Sequence, residues 1–297
     1  MENRKFYIIG NGFDLWHGIP SSYGQFKKFV REHDFHLLEA VENYLPADDN
    51  WSDLEFAIGK IDAGNIIDDF EHFMMSYGAG DWSDSGHHDF QYEVTRILEC
   101  LSTGLRYRFT QWIRQLPIPT PVTTRKRLQT IDPTARFLTF NYTSTLLELY
   151  GVPDIHVLHI HGRANHPDDN LILGHAWNPR ERTSPNDRSD IDTRLTEAQG
   201  ILDGYFSSTF KPSTRLIQEH HSFFEQLADV EEVYVLGHSL STVDEPYFQA
   251  LLAIPGIASA RWHVACRSNS DVYANTARLL ELGVQASSIV MCTWSDV

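Results

Sequence analysis

The stretch FYIIGNGFDLWHG, residues 6–18, decides the fold. Four apolar residues, typical of a buried β-strand, run directly into Gly10, Asn11 and Gly12. A glycine pair after a strand either ends it in a tight turn or lets the backbone approach a phosphate at the start of a helix. The spacing matches the first two glycines of the dinucleotide-binding GxGxxG fingerprint, but Leu15 occupies the third position. The stretch therefore predicts a strand, a turn and a helix, and leaves both roles of the turn open.

The composition restricts the classes of function. The chain has 297 residues with 40 acidic and 24 basic side chains, and its formal net charge of -16 disfavours general binding to DNA or RNA. The three cysteines lie far apart without a CxxC pair, which is typical of reduced cytosolic thiols and not of a structural zinc site. The first apolar run is too short for a signal peptide, and no stretch of about 18 apolar residues indicates a membrane span. We therefore expect a cytoplasmic protein with no direct nucleic-acid or membrane partner.

Five further short runs rich in Val, Ile, Phe and Tyr have the pattern of buried strands. They are RFLTF (136–140), IHVLHI (155–160), EVYVLG (232–237), RWHVAC (261–266) and SSIVMC (287–292). Helical patterns stand beside several of them, and the helix predicted before the last strand ends on Gly283, a residue typical of a C-cap. This alternation predicts an α/β fold, a Rossmann-like, doubly wound, mainly parallel sheet in a single domain of residues 1–297.

Two long connections complete the predicted organisation. Amphipathic patterns such as SSYGQFKKFVREH (21–33), and a long helix over 90–116 that Pro117 ends, predict a large helical insertion over about 20–130. The chain from 163 onward is polar and rich in Asp, Arg, Asn and Pro. It predicts a surface loop or lid over about 163–230.

Asn141 ends the second predicted strand, in the stretch TFNYTSTLLELY (139–150). The carboxyl end of a parallel strand is where such sheets bind ligands, and an amide can donate and accept a hydrogen bond at once. Capping of the following helix by Asn141 or Thr143 is the structural alternative.

The third predicted strand carries histidines in VLHIHGR (157–163). On a strand, His159 and His161 would share one face, and His156 would point to the other. His161, just before a glycine, is a candidate general base. Hydrogen-bonded interior histidines and a metal site are the alternatives, but no carboxylate or cysteine stands at a matching spacing, so we predict no metal ligands.

A fourth strand runs into Gly237 in VLGHSLSTVDEPYF (235–248), and Asp244 stands near the start of the next helix. Hydroxyls and free N–H groups at such a turn suit a phosphate or a ribose. Ser241 replaces the second glycine of the GxSxG nucleophile elbow, which disfavours a serine hydrolase.

Taken together, these motifs resemble the signatures of the AbiH family, named for phage abortive infection. The signatures are IIGNGFDLWHGIPSSYGQF, a W-x-D-L-E segment from Trp51 to Glu55, FNYT, HIHG and LGHSLSTVD. The resemblance runs from residue 6 to about residue 250. It implies a role in defence against phage.

AbiH proteins in turn look like distant relatives of the sirtuin-like NAD-binding fold. This resemblance implies that Asn141 and His161 are catalytic, since they match the asparagine of an N-x-D motif and the histidine of an HG motif. Thr143 replaces the aspartate of N-x-D, and the four-cysteine zinc module of protein deacetylases is absent, so we do not expect deacetylation. The residues implied to bind the nucleotide are Gly10, Asn11, Gly12, Phe13, Asp14, His17, Thr143, Gly237, His238, Ser239 and Asp244.

The implied activity is hydrolysis of NAD to nicotinamide and ADP-ribose, which would deplete NAD on infection. NAD is then the substrate, and no cofactor is required. An activating or inhibiting partner protein, or a homo-oligomer, would restrain such a toxic enzyme. Three alternatives stay open: a non-catalytic nucleotide-binding sensor or regulatory subunit of a defence complex, which Thr143 favours; a metal-dependent nuclease or phosphoesterase; and a scaffold whose glycine turns are structural.

Overall fold

The computed structural model describes residues 4–74, 88–165, 170–182 and 192–297. The strands in these ranges are β1 (Lys5–Ile9), β2 (Arg136–Thr139), β3 (Val157–His159), β4 (Glu232–Leu236), β5 (Arg261–Cys266) and β6 (Ile289–Thr293). They form one sheet in the order β3-β2-β1-β4-β5-β6, and every pair is parallel. The direction of winding reverses between β1 and β4, which is the Rossmann order. The predicted α/β, Rossmann-like fold is confirmed.

Strand β1 shows why these runs become central strands. Phe6 and Ile8 enter one hydrophobic core, and Tyr7 and Ile9 enter another, because successive side chains of a strand point to opposite faces of the sheet. A strand buried on both faces needs a nearly continuous apolar run, and the KFYII sequence of β1 supplies it.

A ladder of four rings crosses the sheet at one register. Phe137, Tyr7, Tyr234 and His263 are cross-strand partners on β2, β1, β4 and β5. Their ring centroids follow one another at 4.7, 5.0 and 4.7 Å in stacked geometry. Such cross-strand ring pairs stabilise one register over its neighbours.

Fourteen α-helices lie in the described ranges. They are α1 (Asn11–Trp16), α2 (Tyr23–His33), α3 (Phe35–Tyr44), α4 (Leu54–Ile58), α5 (Ala63–Phe70), α6 (Asp89–Glu99), α7 (Leu105–Arg114), α8 (Thr145–Tyr150), α9 (Thr193–Thr209), α10 (Ser213–Glu219), α11 (His221–Glu225), α12 (Glu245–Leu252), α13 (Pro255–Ser259) and α14 (Asn269–Leu282). A π-helical turn, Cys100–Gly104, joins α6 to α7, so the long predicted helix is confirmed as a helical path with one irregular turn. Gly283 ends α14 in the left-handed conformation, with φ of 101°, as predicted for a C-cap.

The chain divides into two compact units. The first unit comprises Met1–Ser22, Trp112–Ile172 and Pro212–Val297, and it contains the whole sheet. The second comprises Tyr23–Gln111 and Leu173–Lys211. The helical insertion over about 20–130 is predicted to belong to one domain with the sheet. Most of it, Tyr23–Gln111, instead groups with Leu173–Lys211 in the second unit.

The prediction of a loop over 163–230 is wrong for α9, α10 and α11. Helix α9 forms because Ala198, Leu202, Tyr205 and Phe206 recur at helical spacing and are buried, while the Asp192 side chain caps the first turn. Two parts of the predicted loop or lid, 166–169 and 183–191, lie outside the described residues.

Candidate active site

The turn after β1 is hydrogen-bonded to the turn after β4. Gly10 donates its N–H to the Leu236 carbonyl oxygen at 3.0 Å, and Gly12 donates to the Gly237 carbonyl oxygen at 2.8 Å. The N–H of Phe13 returns to the carbonyl oxygen of Gly10 at 2.9 Å. These three N–H groups already have partners within the protein. They are therefore not available to a phosphate.

The glycines of this turn are required because the two turns touch. A Cβ on Gly10 would lie 2.5 Å from the Cα of His238, and a Cβ on Gly12 would lie 2.7 Å from the Cα of Gly237. Gly237 itself has φ of 72°, and a Cβ there would lie 2.2 Å from the backbone nitrogen of Phe13. Contact between backbones accounts for the Gly-Asn-Gly sequence without a ligand.

Asn11 and His17 are used within the fold. The Asn11 amide donates to the carbonyl oxygen of Ser21 at 2.9 Å and accepts from the Ser21 hydroxyl at 2.6 Å. In His17, Nδ1 lies 2.7 Å from the Phe13 carbonyl oxygen, and Nε2 lies 2.8 Å from the Tyr150 hydroxyl. A carbonyl only accepts, so Nδ1 carries the proton and the Tyr150 hydroxyl donates to Nε2. Burial lowers the pKa of His17 to about 4. The two side chains are thus hydrogen-bonded to Ser21, Phe13 and Tyr150, and these hydrogen bonds do not involve Asn141 or His161.

Asp14, by contrast, lies in a buried polar cluster with residues that follow β2. Only 1% of Asp14 is exposed, and its two carboxylate oxygens accept from the hydroxyls of Thr143 at 2.6 Å and Thr145 at 2.7 Å. Burial raises the pKa of Asp14 to about 6, although these hydroxyls and the nearby Asn141 amide act in the opposite direction. The cluster therefore holds a carboxyl group whose pKa is raised by burial.

Asn141 is the most unusual polar residue of this region. It follows β2 directly and is only 6% exposed. Its backbone is fixed, since its N–H donates to the Thr139 hydroxyl at 3.1 Å and its carbonyl lies 3.1 Å from Nδ1 of His159. Its side-chain amide lies near Asp14 and lowers the pKa of that carboxyl, but neither Nδ2 nor Oδ1 completes a hydrogen bond with another described residue. A buried amide in this state costs stability unless a ligand or a water molecule engages it.

Two histidines from different strand ends converge on one carboxylate. His161 is only 2% exposed, and its Nε2 lies 3.9 Å from Oδ1 of Asp244. His238 is also buried, and its Nε2 lies 3.4 Å from Oδ2 of the same residue. His161 and Asp244 are far apart in the chain, so their spacing does not predict this contact, and the sheet brings them together.

Aromatic rings surround these histidines. The ring of Phe140 is 5.4 Å from His161 and 4.3 Å from His238, in edge contact with both. The rings of Tyr247 and Tyr142 lie 5.5 and 6.3 Å from His161. Such an environment excludes water and strengthens electrostatic interactions inside it.

The predicted face of the third strand is corrected by its length. β3 ends at His159, so His161 lies in the following turn, and the rule that alternate residues share a face does not apply to it. Nδ1 of His159 faces the Asn141 carbonyl oxygen, and Nδ1 of His156 faces that of Pro133. The turn needs Gly162, whose φ is 85°.

The structure thus brings Asp14, Asn141 and Thr143 into one cluster and His161, His238 and Asp244 into another, at the carboxyl ends of β1 to β4. Ser239 is exposed and Ser241 caps the next turn by accepting from Val243 N–H at 3.3 Å. Sequence reasoning missed Thr145, Phe140 and Tyr247. Thr145 could have been predicted, because its hydroxyl repeats that of Thr143 two residues earlier. No sequence pattern indicates that Phe140 and Tyr247 lie at the site.

Two further features bear on the class of function. Within the described ranges, no three His, Cys, Asp or Glu side chains are arranged to hold a metal ion. None of the helices in the described part of the chain has the length and hydropathy needed to cross a bilayer.

Comparison with known proteins gives the family. The family model described as Bacteriophage abortive infection AbiH matches residues 6–266, a range that includes every candidate site residue. No curated protein and no solved structure matches the chain. Since the family model covers most of the 297 residues, the chain belongs to the AbiH family of bacteriophage abortive infection proteins.

Proposed function

We propose that this AbiH protein is a defence effector that hydrolyses NAD to nicotinamide and ADP-ribose. The observation that carries the proposal is the buried amide of Asn141, whose Nδ2 and Oδ1 complete no hydrogen bond within the part of the chain that the structure describes. It lies at the carboxyl end of β2, beside the reversal of strand order where Rossmann-like sheets bind nucleotides. A ribose hydroxyl or a water molecule both donates and accepts, and would satisfy such an amide.

The charges near the site favour this chemistry. Cleavage of the bond between nicotinamide and ribose passes through an oxocarbenium-like transition state, and the leaving group is already cationic. Buried carboxyl groups, here Asp14 and Asp244, favour positive charge on the ribose when they are ionised. The nicotinamide needs no acid to leave, so the site must mainly orient water and accept one proton.

We assign the roles accordingly. Asn141 orients the water and the ribose. His161 takes the proton as the water oxygen bonds to the anomeric carbon and the electrons of the broken bond return to the pyridine nitrogen. The pyrophosphate is not assigned to Gly10, Gly12 and Phe13, since their N–H groups are bonded within the protein. The proposal therefore rests on the ribose end of NAD.

The test measures release of nicotinamide and ADP-ribose from NAD, with and without candidate activating proteins and over a range of protein concentrations. His161→Gln should lower the rate by about 10²- to 10⁴-fold, the usual contribution of a general base. Asn141→Ala should also lose activity. Matched controls are Asn269→Ala and His221→Gln, which change exposed residues and should keep the rate. Loss of activity in the controls, or none in the site variants, would refute the assignment.

A second candidate, a nucleotide-binding sensor without turnover, is favoured by one observation. The hydroxyl of Thr143, which stands where an N-x-D motif has its carboxylate, already donates to Asp14. This candidate predicts that calorimetry detects NAD or another nucleotide binding to the native protein and not to Asn141→Ala, while no product forms under any condition.

A further inference from the structure

The tautomer of His238 is fixed by the backbone. The N–H of Leu240 donates to Nδ1 of His238 at 2.9 Å. An atom that accepts a hydrogen bond carries no proton, so the neutral ring has its proton on Nε2. That nitrogen is the one that faces Oδ2 of Asp244 at 3.4 Å. His238 is therefore a permanent donor directed at the carboxylate.

The residue that fixes this tautomer is itself firmly held. Leu240 is buried and adopts a left-handed conformation, with φ of 54°, which is uncommon for a leucine and costs free energy. Its carbonyl oxygen accepts from Nε of Arg278 at 3.0 Å, and Arg278 in turn binds the carboxylate of Glu245. The strained turn is thus anchored from α14 and from the first residue of α12.

The second oxygen of Asp244 faces His161. Asp244 is the N-cap residue directly before α12, and its backbone N–H donates to the Ser241 carbonyl oxygen at 3.1 Å, which holds the residue at the helix start. Oδ1 lies 3.9 Å from Nε2 of His161. One carboxylate therefore stands between a histidine that cannot change its tautomer and a second histidine.

We propose that His238 and Asp244 form a positioning pair for His161, in which the carboxylate of Asp244 is shared between the donor His238 and the ring of His161. The catalytic part of this inference rests on the proposed function, whereas the electrostatic part does not. Asp244 keeps the ring of His161 in one orientation and stabilises the imidazolium that forms when His161 takes a proton. Among the described residues, the titratable side chains of Tyr247 and Tyr142 also have rings that face His161.

Three variants separate the contributions. Asp244→Asn removes the charge. His238→Asn keeps an acceptor for the Leu240 N–H and removes the donor to Asp244. His238→Gln places a donor near Asp244 and removes the acceptor for Leu240. The two His238 variants are therefore matched controls for each other.

The first readout is the titration of His161, followed by NMR of protein with ¹⁵N-labelled histidine and assigned with His161→Gln. Asp244→Asn should lower the pKa of His161 by roughly 1 unit, because an adjacent carboxylate favours the charged ring. His238→Asn should raise it, since the carboxylate then loses the N–H of His238 that partly neutralises its charge. His238→Gln should leave it near the native value. An unchanged pKa of His161 in both Asp244→Asn and His238→Asn would overturn the proposal.

The second readout is the dependence of NAD cleavage on pH. In Asp244→Asn, kcat should fall by less than the 10²- to 10⁴-fold loss expected for His161 itself, with KM little changed, and the acidic limb of the profile should move to lower pH with the pKa of His161. If NAD is never cleaved but the NMR shifts occur, the positioning pair stands and the proposed function fails. If NAD is cleaved and neither the titration nor the profile moves, the positioning pair fails and the proposed function stands.

Discussion

The backbone N–H of Gly12 donates to the carbonyl oxygen of Gly237 at 2.8 Å, which joins the turn after β1 to the turn after β4. The two residues are far apart in the sequence, yet each leaves room for the backbone of the other. The glycine-rich turn that looks like a phosphate-binding loop is thus one half of a contact between two turns.

The contact predicts a large loss of stability from a single methyl group. Gly237→Ala would place its Cβ 2.2 Å from the backbone nitrogen of Phe13 and force a non-glycine residue to φ of 72°. Backbone cannot move aside as a flexible side chain can, so we expect a loss of at least about 4 kcal/mol, or failure to fold. Urea denaturation of the native protein and of Gly237→Ala measures this difference in the free energy of unfolding.

The matched control is Gly204→Ala, on the exposed side of α9, where a Cβ meets nothing within 4 Å. Alanine favours a helix over glycine by about 1 kcal/mol, so this variant should be slightly more stable than the native protein. Equal stability of the two variants would show that the turns do not need the glycines.

Asn141→Ala should leave the stability of the free protein unchanged or raise it. Within the described residues the Asn141 side chain completes no hydrogen bond, so truncation removes a desolvated amide. The Asn141 amide does favour the ionised form of Asp14, so the comparison is made at about pH 5, where Asp14 is mostly protonated in the folded protein. Thr145→Ala, which removes a hydrogen bond to Asp14, should instead destabilise by about 1 kcal/mol or more. Thermal unfolding compares the two, and a clear loss in Asn141→Ala would mean that the amide has a structural partner.

The buried carboxyl of Asp14 predicts a stability that falls as pH rises. Its pKa is raised from 3.8 to about 6 in the folded protein, chiefly by burial. Its contribution is fully present below the unfolded pKa and is lost as pH rises through 6. The difference is on the order of 3 kcal/mol by linkage. Because other acids titrate too, the measurement is the difference in unfolding free energy between the native protein and Asp14→Asn at pH 4 to 7. A difference independent of pH would contradict the prediction.

The buried ring of His17 should make the free energy of unfolding change with pH in the opposite direction. Burial lowers its pKa from 6.5 to about 4 in the folded protein. The stability contributed by its neutral ring is fully present above 6.5 and is lost as pH falls through 4. The advantage of the native protein over His17→Gln should therefore shrink on acidification. If the advantage grows instead, the ring is charged in the folded state.

The second unit has a buried ion pair that can be tested separately. The ammonium group of Lys211, whose residue is 1% exposed, binds the carboxylate of Glu55, which also accepts from the Tyr23 hydroxyl at 2.5 Å. Glu55→Ala leaves a buried ammonium group without this partner and should cost about 3–5 kcal/mol. Lys211→Met should cost less, because Glu55 keeps the Tyr23 hydroxyl and some solvent. A double-mutant cycle by denaturation measures the coupling.

The sheet could be predicted from the sequence because a strand that is buried on both faces consists of a nearly continuous run of apolar residues. KFYII and EVYVL are such runs, and both became neighbouring parallel strands. Helix α9 was missed for the opposite reason. The exposed face of α9 is polar, and the segment before it is polar too, so the two together have the composition of a loop.

The site could be predicted only in part. Asn141 and His161 stand out because each polar residue follows a strand directly or nearly so. The partners could not be predicted, because they depend on which strand ends become neighbours. Asp244 reaches His161, and Asp14 reaches Thr143, through the order of the sheet and not through sequence spacing. The contact of the glycine turn with the Gly237 turn could not be predicted either, since close backbone approach to a ligand and to another turn require the same residues.

The joined turns also bear on how the protein is made. Translation delivers β1 and its turn first, then Asn141 and His161, and only later the strand that carries Gly237 and Asp244. Until that strand has left the ribosome and paired with β1, the turn after β1 lacks its hydrogen bond to Gly237, and His161 lacks the carboxylate of Asp244. A nascent or truncated chain that ends before β4 therefore lacks an assembled centre, and the complete centre forms only after β4 and Asp244 have been synthesised.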